Sequence, residues 1–285
     1  MQCYFAWDRR PSLFPLCVAI SDDMIEKLIS WLAATKGLQA LVLSGSRTGL
    51  VIDTLSDYDL YYYSEVPLSL ETRHEMALLF AQKAEIGNSF FDDGDEMFLK
   101  DGTAVDLMYR SLSWAREQVK WVWEEHHGSV GYSTAFIHNI KTSTILYDRD
   151  GEFALLKKLL ETPYSKELTK AIIAKNYPLL QHKLMASYYE QIEHAIIRGD
   201  VVSQAHRTSA LLTSYFDIIF AINAQTHPGE KKLIAWAKKT CPLLPTSFEE
   251  DINHVVEQIG QKDLLLSIDT LLNQLDILLK KEGWV

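Results

Sequence analysis

The chain has little cysteine, no long apolar run and no excess of basic charge, and each shortage removes a class of function. Its three cysteines, Cys3, Cys17 and Cys241, show no metal-ligand spacing and form no disulfide framework. No apolar stretch approaches the roughly 20 residues that a membrane span needs. The N-terminus carries Asp8-Arg9-Arg10 and lacks a signal-peptide pattern. Internal repeats and low-complexity tracts are also missing. These shortages predict a cytoplasmic protein with no membrane partner.

The formal net charge is −10, which opposes binding to duplex nucleic acid. The charge is unevenly spread: residues 1–128 carry net −9 and residues 129–285 net −1. An acidic first part suits divalent metals and a cationic small molecule. It also serves solubility, and the count alone does not choose between these.

What is present is more specific. Leu41-Val42-Leu43 runs into Ser44-Gly45-Ser46-Arg47, and a short spacer leads to Asp57-Tyr58-Asp59-Leu60. In a strand, residues i and i+2 share a face, so Asp57 and Asp59 project together. A second apolar segment, Thr103–Tyr109, holds one more lone acid, Asp106. If that strand lies beside the first, three carboxylates converge. Their mutual repulsion falls when a divalent cation sits among them. Carboxylate oxygens are the ligands Mg²⁺ prefers, and a Gly-Ser turn offers backbone N–H groups to a triphosphate. An Asp-x-Asp alone often caps a turn, and a lone Gly-Ser pair says less. The ordered combination points to a metal–nucleotide site. Arg47 has two readings, neutralising phosphate charge or capping the turn.

These motifs resemble the nucleotidyltransferase superfamily typified by DNA polymerase beta. Leu43-Ser44-Gly45-Ser46 matches its apolar-Gly-Gly/Ser element, and Ser56-Asp57-Tyr58-Asp59-Leu60 matches its acidic strand. The resemblance covers residues 20–150 by motif. It implies that Asp57 and Asp59 bind metal, that Asp106 is a further metal ligand or the general base, and that Gly45 and Ser46 hold the triphosphate.

The predicted fold class is α+β. Residues 1–150 form a nucleotidyltransferase-like domain with a small mixed sheet flanked by helices, including helical stretches at Asp22–Ala34 and Leu70–Ala84. Ile145–Gly151 closes it as a last short strand and turn. Residues 151–285 form an all-α domain. Apolar residues recur at helical spacing over Phe153–Leu160, Leu168–Leu184, Met185–Arg198, Val201–Asn223, Lys231–Lys239 and Leu264–Lys281. Tyr215–Asn223 followed by Thr226-His227-Pro228-Gly229-Glu230-Lys231-Lys232 resembles a bacterial DUF4037-like subgroup of nucleotidyltransferases. That subgroup is similar in layout to the aminoglycoside and lincosamide nucleotidyltransferases. The resemblance implies that the helical domain offers a Lys to the triphosphate, and by position this is Lys231.

Other polar clusters carry less. Glu124-Glu125-His126-His127 are consecutive and point in different directions on a helix, so a helix end explains them. His138 is either a cleft residue or polar surface. Trp121 and Trp123 read as packing residues. Asp92-Asp93-Gly94-Asp95 lacks the Glu twelve positions after the first Asp that an EF-hand loop requires, and a turn before a strand explains it.

The expected activity is Mg²⁺-dependent transfer of a nucleoside monophosphate, AMP from ATP, to a hydroxyl of a small molecule. The alternatives are a protein hydroxyl as acceptor and a nucleotide-binding interaction protein without turnover. Arg198 and His206 are too widely spaced for the Arg-x4–6-His ribonuclease signature, which counts against a ribonuclease.

Overall fold

A computed structural model of the chain describes residues 23–48, 57–90, 93–180 and 185–285. Cys3, Cys17, the Asp8-Arg9-Arg10 segment, Ser56, Asp92 and the end of the expected Leu168–Leu184 helix lie outside the described residues. The chain divides into two compact units. The sheet unit comprises Met1–Glu117 and Thr142–Glu161, and the helical unit comprises Gln118–Lys141 and Thr162–Val285. The division is therefore discontiguous, unlike the single boundary expected near residue 150.

The sheet unit opens with α1 (Asp23–Ala33), followed by β1 (Ala40–Ser44) and β2 (Tyr58–Tyr63). Next come α2 (Leu70–Phe80), β3 (Ala81–Asn88), β4 (Gly94–Leu99) and β5 (Ala104–Arg110). α3 (Leu112–Val119) leads into a π-helical turn at Lys120–Glu124 and then α4 (Ala135–Thr142). β6 (Thr144–Asp148) and α5 (Glu152–Leu159) return to the sheet unit. The strand order is β3-β4-β5-β2-β1-β6. Only the β2–β5 pair among these neighbours is parallel, so the sheet is mixed.

Period-two alternation sorts the sheet's faces. Tyr58, Leu60 and Tyr62 of β2 and Val105, Leu107 and Tyr109 of β5 all join one core. α1 covers it with Ile25, Leu28, Ile29 and Leu32, an i, i+3, i+4, i+7 stripe. α2 starts at an N-cap, where the Ser69 side chain accepts from the Thr72 N–H.

α2 stops at Phe80, four residues short of the expected end. The reason is non-local. Lys100 Nζ donates to the Leu78 and Leu79 carbonyls at 3.1 and 2.6 Å, and the Lys100 N–H takes the Phe80 carbonyl. These bonds satisfy the last carbonyls of the helix, and the following residues pair with β4 from Ala81 onward.

Arg73 of α2 ties the helix to the strands beneath. It is 3 % exposed and forms an ion pair with Asp95 at 2.7 Å and another with Asp93 at 2.9 Å. The Tyr109 hydroxyl and the Gly87 N–H also donate to Asp95. Asp93-Gly94-Asp95 thus holds an arginine at the entry to β4.

In the helical unit, α6 (Lys166–Leu180), α7 (Tyr188–Ile197), α8 (Val201–Ile222), α9 (Leu233–Thr240), α10 (Phe248–Glu257) and α11 (Leu264–Lys281) follow in order. From Ser214 to Ile222, α8 is buried on every side; most of this segment is apolar, and its one acid, Asp217, accepts from Ser133 and Asn176. Leu271, Leu275 and Leu279 of α11 pack in the same core. α9 starts two residues later than the periodicity predicts, because Lys232 takes a left-handed conformation at its N-cap, with φ 57°. Among the described residues, no helix is long and apolar enough to cross a membrane.

Candidate active site

The strand register builds the site. Asp59 on β2 lies opposite Asp106 on the parallel neighbour β5 and opposite Ser44 at the end of β1. Because Tyr58 and Leu60 point into the core, Asp59 takes the other face, and Asp106 does the same between Val105 and Leu107. Asp57 stands just before β2. The three half-buried acids each place a ligand oxygen within 4.8 Å of the others. Among the described residues this is the one group of three His, Cys, Asp or Glu side chains so placed. The convergence expected from two separate segments is what the register produces.

The donor set fits a hard divalent cation. All three ligands are carboxylates, and Mg²⁺ binds oxygen at about 2.0–2.1 Å. Oxygens sharing one ion then stand at most about 4 Å apart, so a small side-chain adjustment brings the three acids onto one ion.

The turn beside them is equally specific. β1 ends at the fully buried Ser44, in extended backbone, and a single 3₁₀ turn, Gly45–Arg47, follows at once. Gly45 has φ +68°, a left-handed conformation that costs other residues free energy. A Cβ there would overlap the Asp59 carboxylate and reach within 3.0 Å of the Asp59 Cβ. The turn backbone is therefore pressed against a candidate ligand. Thr48 closes the turn, its N–H and hydroxyl both donating to the Gly45 carbonyl. Ser46 lies within the turn. Arg47 braces it: the guanidinium stacks 3.8 Å from the Tyr58 ring centroid, and its Nε donates to the Asp57 carbonyl at 3.1 Å. Between the two readings of Arg47, this geometry favours a structural tie from the turn to the acidic strand.

One acid escapes the sequence pattern. Glu96 on β4 pairs with Asp106, and Glu85 on β3 pairs with Glu96. Directly opposed residues share a face, so the acidic row continues outward from Asp106. Glu96 accepts from Asn88 Nδ2 at 3.3 Å. The signal was the alternation within Gly94–Leu99, where Asp95, Met97 and Leu99 are buried and Glu96 and Phe98 are exposed.

Lys231 belongs to the helical unit, where it is exposed and lines a cavity with α8, α9 and α10 residues. His138 is also in that unit. Its Nδ1 lies 2.8 Å from Thr226 Oγ1, and its ring packs edge-on against Trp236. Burial lowers its pKa to about 4, so it is a neutral packing residue. Trp123 is buried and donates to Thr162, while Trp121 stacks on His127. His127 lies 3.6 Å from Glu125, just past the π-helical turn, so this tetrad is the end of a helix. Cys241 is buried, which raises its thiol pKa to about 11.

No family model matches the sequence, and no curated protein matches it. Among solved structures, a nucleotidyltransferase-like protein from Exiguobacterium sibiricum is 13% identical. It matches over 91% of this chain and 74% of its own, with a TM-score of 0.43. A CCA-adding enzyme from Thermotoga maritima, complexed with tRNA, is 14% identical over 83% of this chain and 70% of its own, with a TM-score of 0.29. A CCA-adding enzyme in complex with CTP is 15% identical, with coverages of 83% and 71% and a TM-score of 0.25.

Proposed function

We propose that this chain is a metal-dependent nucleotidyltransferase. It would use Mg²⁺ and an NTP, with ATP as the first candidate, and transfer the nucleoside monophosphate to a hydroxyl of a small molecule. The observation that carries the reading is the register of Asp59 against Asp106, with Asp57 within ligand distance and the Gly45 turn pressed on Asp59.

Asp57 and Asp59 would hold the cation, with Asp106 beside them. When bound, the cation would neutralise phosphate charge and acidify a nearby hydroxyl. The Gly45–Arg47 backbone, beside Asp59, would offer its N–H groups to phosphate oxygens. Asp106 accepts the proton of the acceptor hydroxyl, whose oxygen attacks the α-phosphorus. The bond from that phosphorus to the bridging α–β oxygen breaks, and pyrophosphate leaves. Alignment and charge complementarity supply most of the acceleration. The row from Asp59 through Asp106 to Glu96 and Glu85 presents negative charge beside the acids, which suits a cationic acceptor such as an aminoglycoside-like amine. Such chemistry belongs in the cytoplasm, with its ATP and Mg²⁺.

The test is pyrophosphate release with each NTP and Mg²⁺ against aminoglycosides, lincosamides and candidate proteins. Turnover with a small molecule, lost in Asp59→Asn, supports the proposal. Labelling of a protein moves the acceptor to another class. Absence of turnover and of metal-dependent NTP binding overturns the reading.

A further inference from the structure

The helical unit contains a cavity of about 990 Å³, at the upper end of the range for small-molecule sites. Its floor is apolar: Leu212 and Phe216 of α8, Ile252 and Val256 of α10, and Ile259 beyond. Into this floor is set Thr208, which is fully buried and whose Oγ1 has no hydrogen-bond partner. A buried hydroxyl without a partner costs free energy unless a ligand completes it.

One end of the cavity is the start of α9. Lys232, Leu233, Ile234 and Ala235, the N-cap and first turn, all line it. The first N–H groups of a helix lack intrahelical partners and carry partial positive charge. A lysine at the N-cap has no acceptor with which to cap them. Lys231 stands beside this end, and Glu230 is the acid next to it. The other two charged residues of the lining, Lys238 and Glu249, pair with each other. Two residues of the lining, Tyr132 and Lys232, hold left-handed backbone at φ 52° and 57°, a kind of strain that gathers at ligand sites.

We propose that this cavity binds a soluble amphiphile with an oxyanion head and an apolar body. The head meets Lys231 and the start of α9, the body lies on the Leu212–Phe216 floor, and the Thr208 hydroxyl completes a polar contact. This site goes beyond the nucleotidyl transfer proposed above and does not depend on it.

The test is calorimetry on the full chain with octyl phosphate as probe, and octanol and inorganic phosphate as controls. Saturable 1:1 binding of octyl phosphate is expected, at least about tenfold tighter than either control. Thr208→Val, which keeps the shape, and Lys231→Gln should each weaken it by about five- to tenfold. Leu212→Trp, which fills the cavity, should abolish it. Asp59→Asn should leave it unchanged, so failure of the nucleotidyl reading would not touch this one. Absence of binding overturns the proposal, as does octanol binding equally well. So do Thr208→Val and Lys231→Gln variants that both stay within twofold of wild type, and capture only by anionic vesicles.

Discussion

Gly45 and Asp59 are locked together: the backbone of one leaves no space for anything but the carboxylate of the other. The contact joins the β1 turn to the β2 acid, and it makes the glycine a residue of the site. Gly45→Ala should therefore do two separable things. Left-handed backbone costs alanine about 1–2 kcal/mol of stability, and the added Cβ should displace the Asp59 carboxylate. Calorimetry with Mn²⁺ in place of Mg²⁺ should show affinity falling by more than about tenfold, beyond what lost stability explains. Unchanged Mn²⁺ affinity in a folded variant would separate the turn from the metal site.

Removing one acid should abolish turnover and spare the fold. Asp57→Asn or Asp59→Asn takes away a ligand charge, and pyrophosphate release should drop by about a hundredfold or more. In EDTA the melting temperature should hold or rise, because clustered carboxylates repel one another without a cation. A lower melting temperature in EDTA would mean that the acids stabilise the sheet unit by other bonds.

The Arg73–Asp95 pair should behave as a buried ion pair does when one partner is removed. Asp95→Ala takes the buried partner from a guanidinium that is 3 % exposed and leaves it only the partly exposed Asp93 and the Gly94 carbonyl, and the cost should be about 3 kcal/mol in urea unfolding. Replacing both residues with apolar ones should recover much of that loss. A double variant as unstable as the single one would contradict this account.

The helical unit should respond to pH through a buried acid. Burial, partly offset by bonds from Ser133 and Asn176, raises the Asp217 pKa from 3.8 to about 7. The folded state thus holds a proton that the unfolded chain has released. The contribution of Asp217 is fully present below about pH 4 and is lost as pH rises to about 7. His138 and His227 act with the opposite sign, because burial lowers their pKa values from 6.5 to about 4 and about 3. Their contribution is lost as pH falls below about 6.5. Asp217→Asn should gain on wild type between about pH 4 and pH 7, by an amount on the order of 1–3 kcal/mol. A constant difference across that window would place the titration elsewhere.

The amino-acid sequence by itself determined the local half of this protein. Alternation in Tyr58–Tyr63 and Ala104–Arg110 assigned each acid to a face, because a strand's side chains can only alternate. The stripe over Leu264–Lys281 marked a helix whose bounds the structure reproduces. Only tertiary structure decided the rest. The parallel pairing of β2 with β5 set Asp59 against Asp106 across residues 47 apart in the chain, and nothing local to either segment specifies its neighbour. Glu96 joined the same row through β4. α2 ended at Phe80 because a lysine 20 residues later took its last carbonyls, overriding a helical periodicity that ran further. The Thr208 hydroxyl looked like any polar residue in a helix, and it became a candidate binding group only when α9 and α10 closed a cavity over it. Periodicity is a property of neighbours along the chain, whereas a site is a property of neighbours in space.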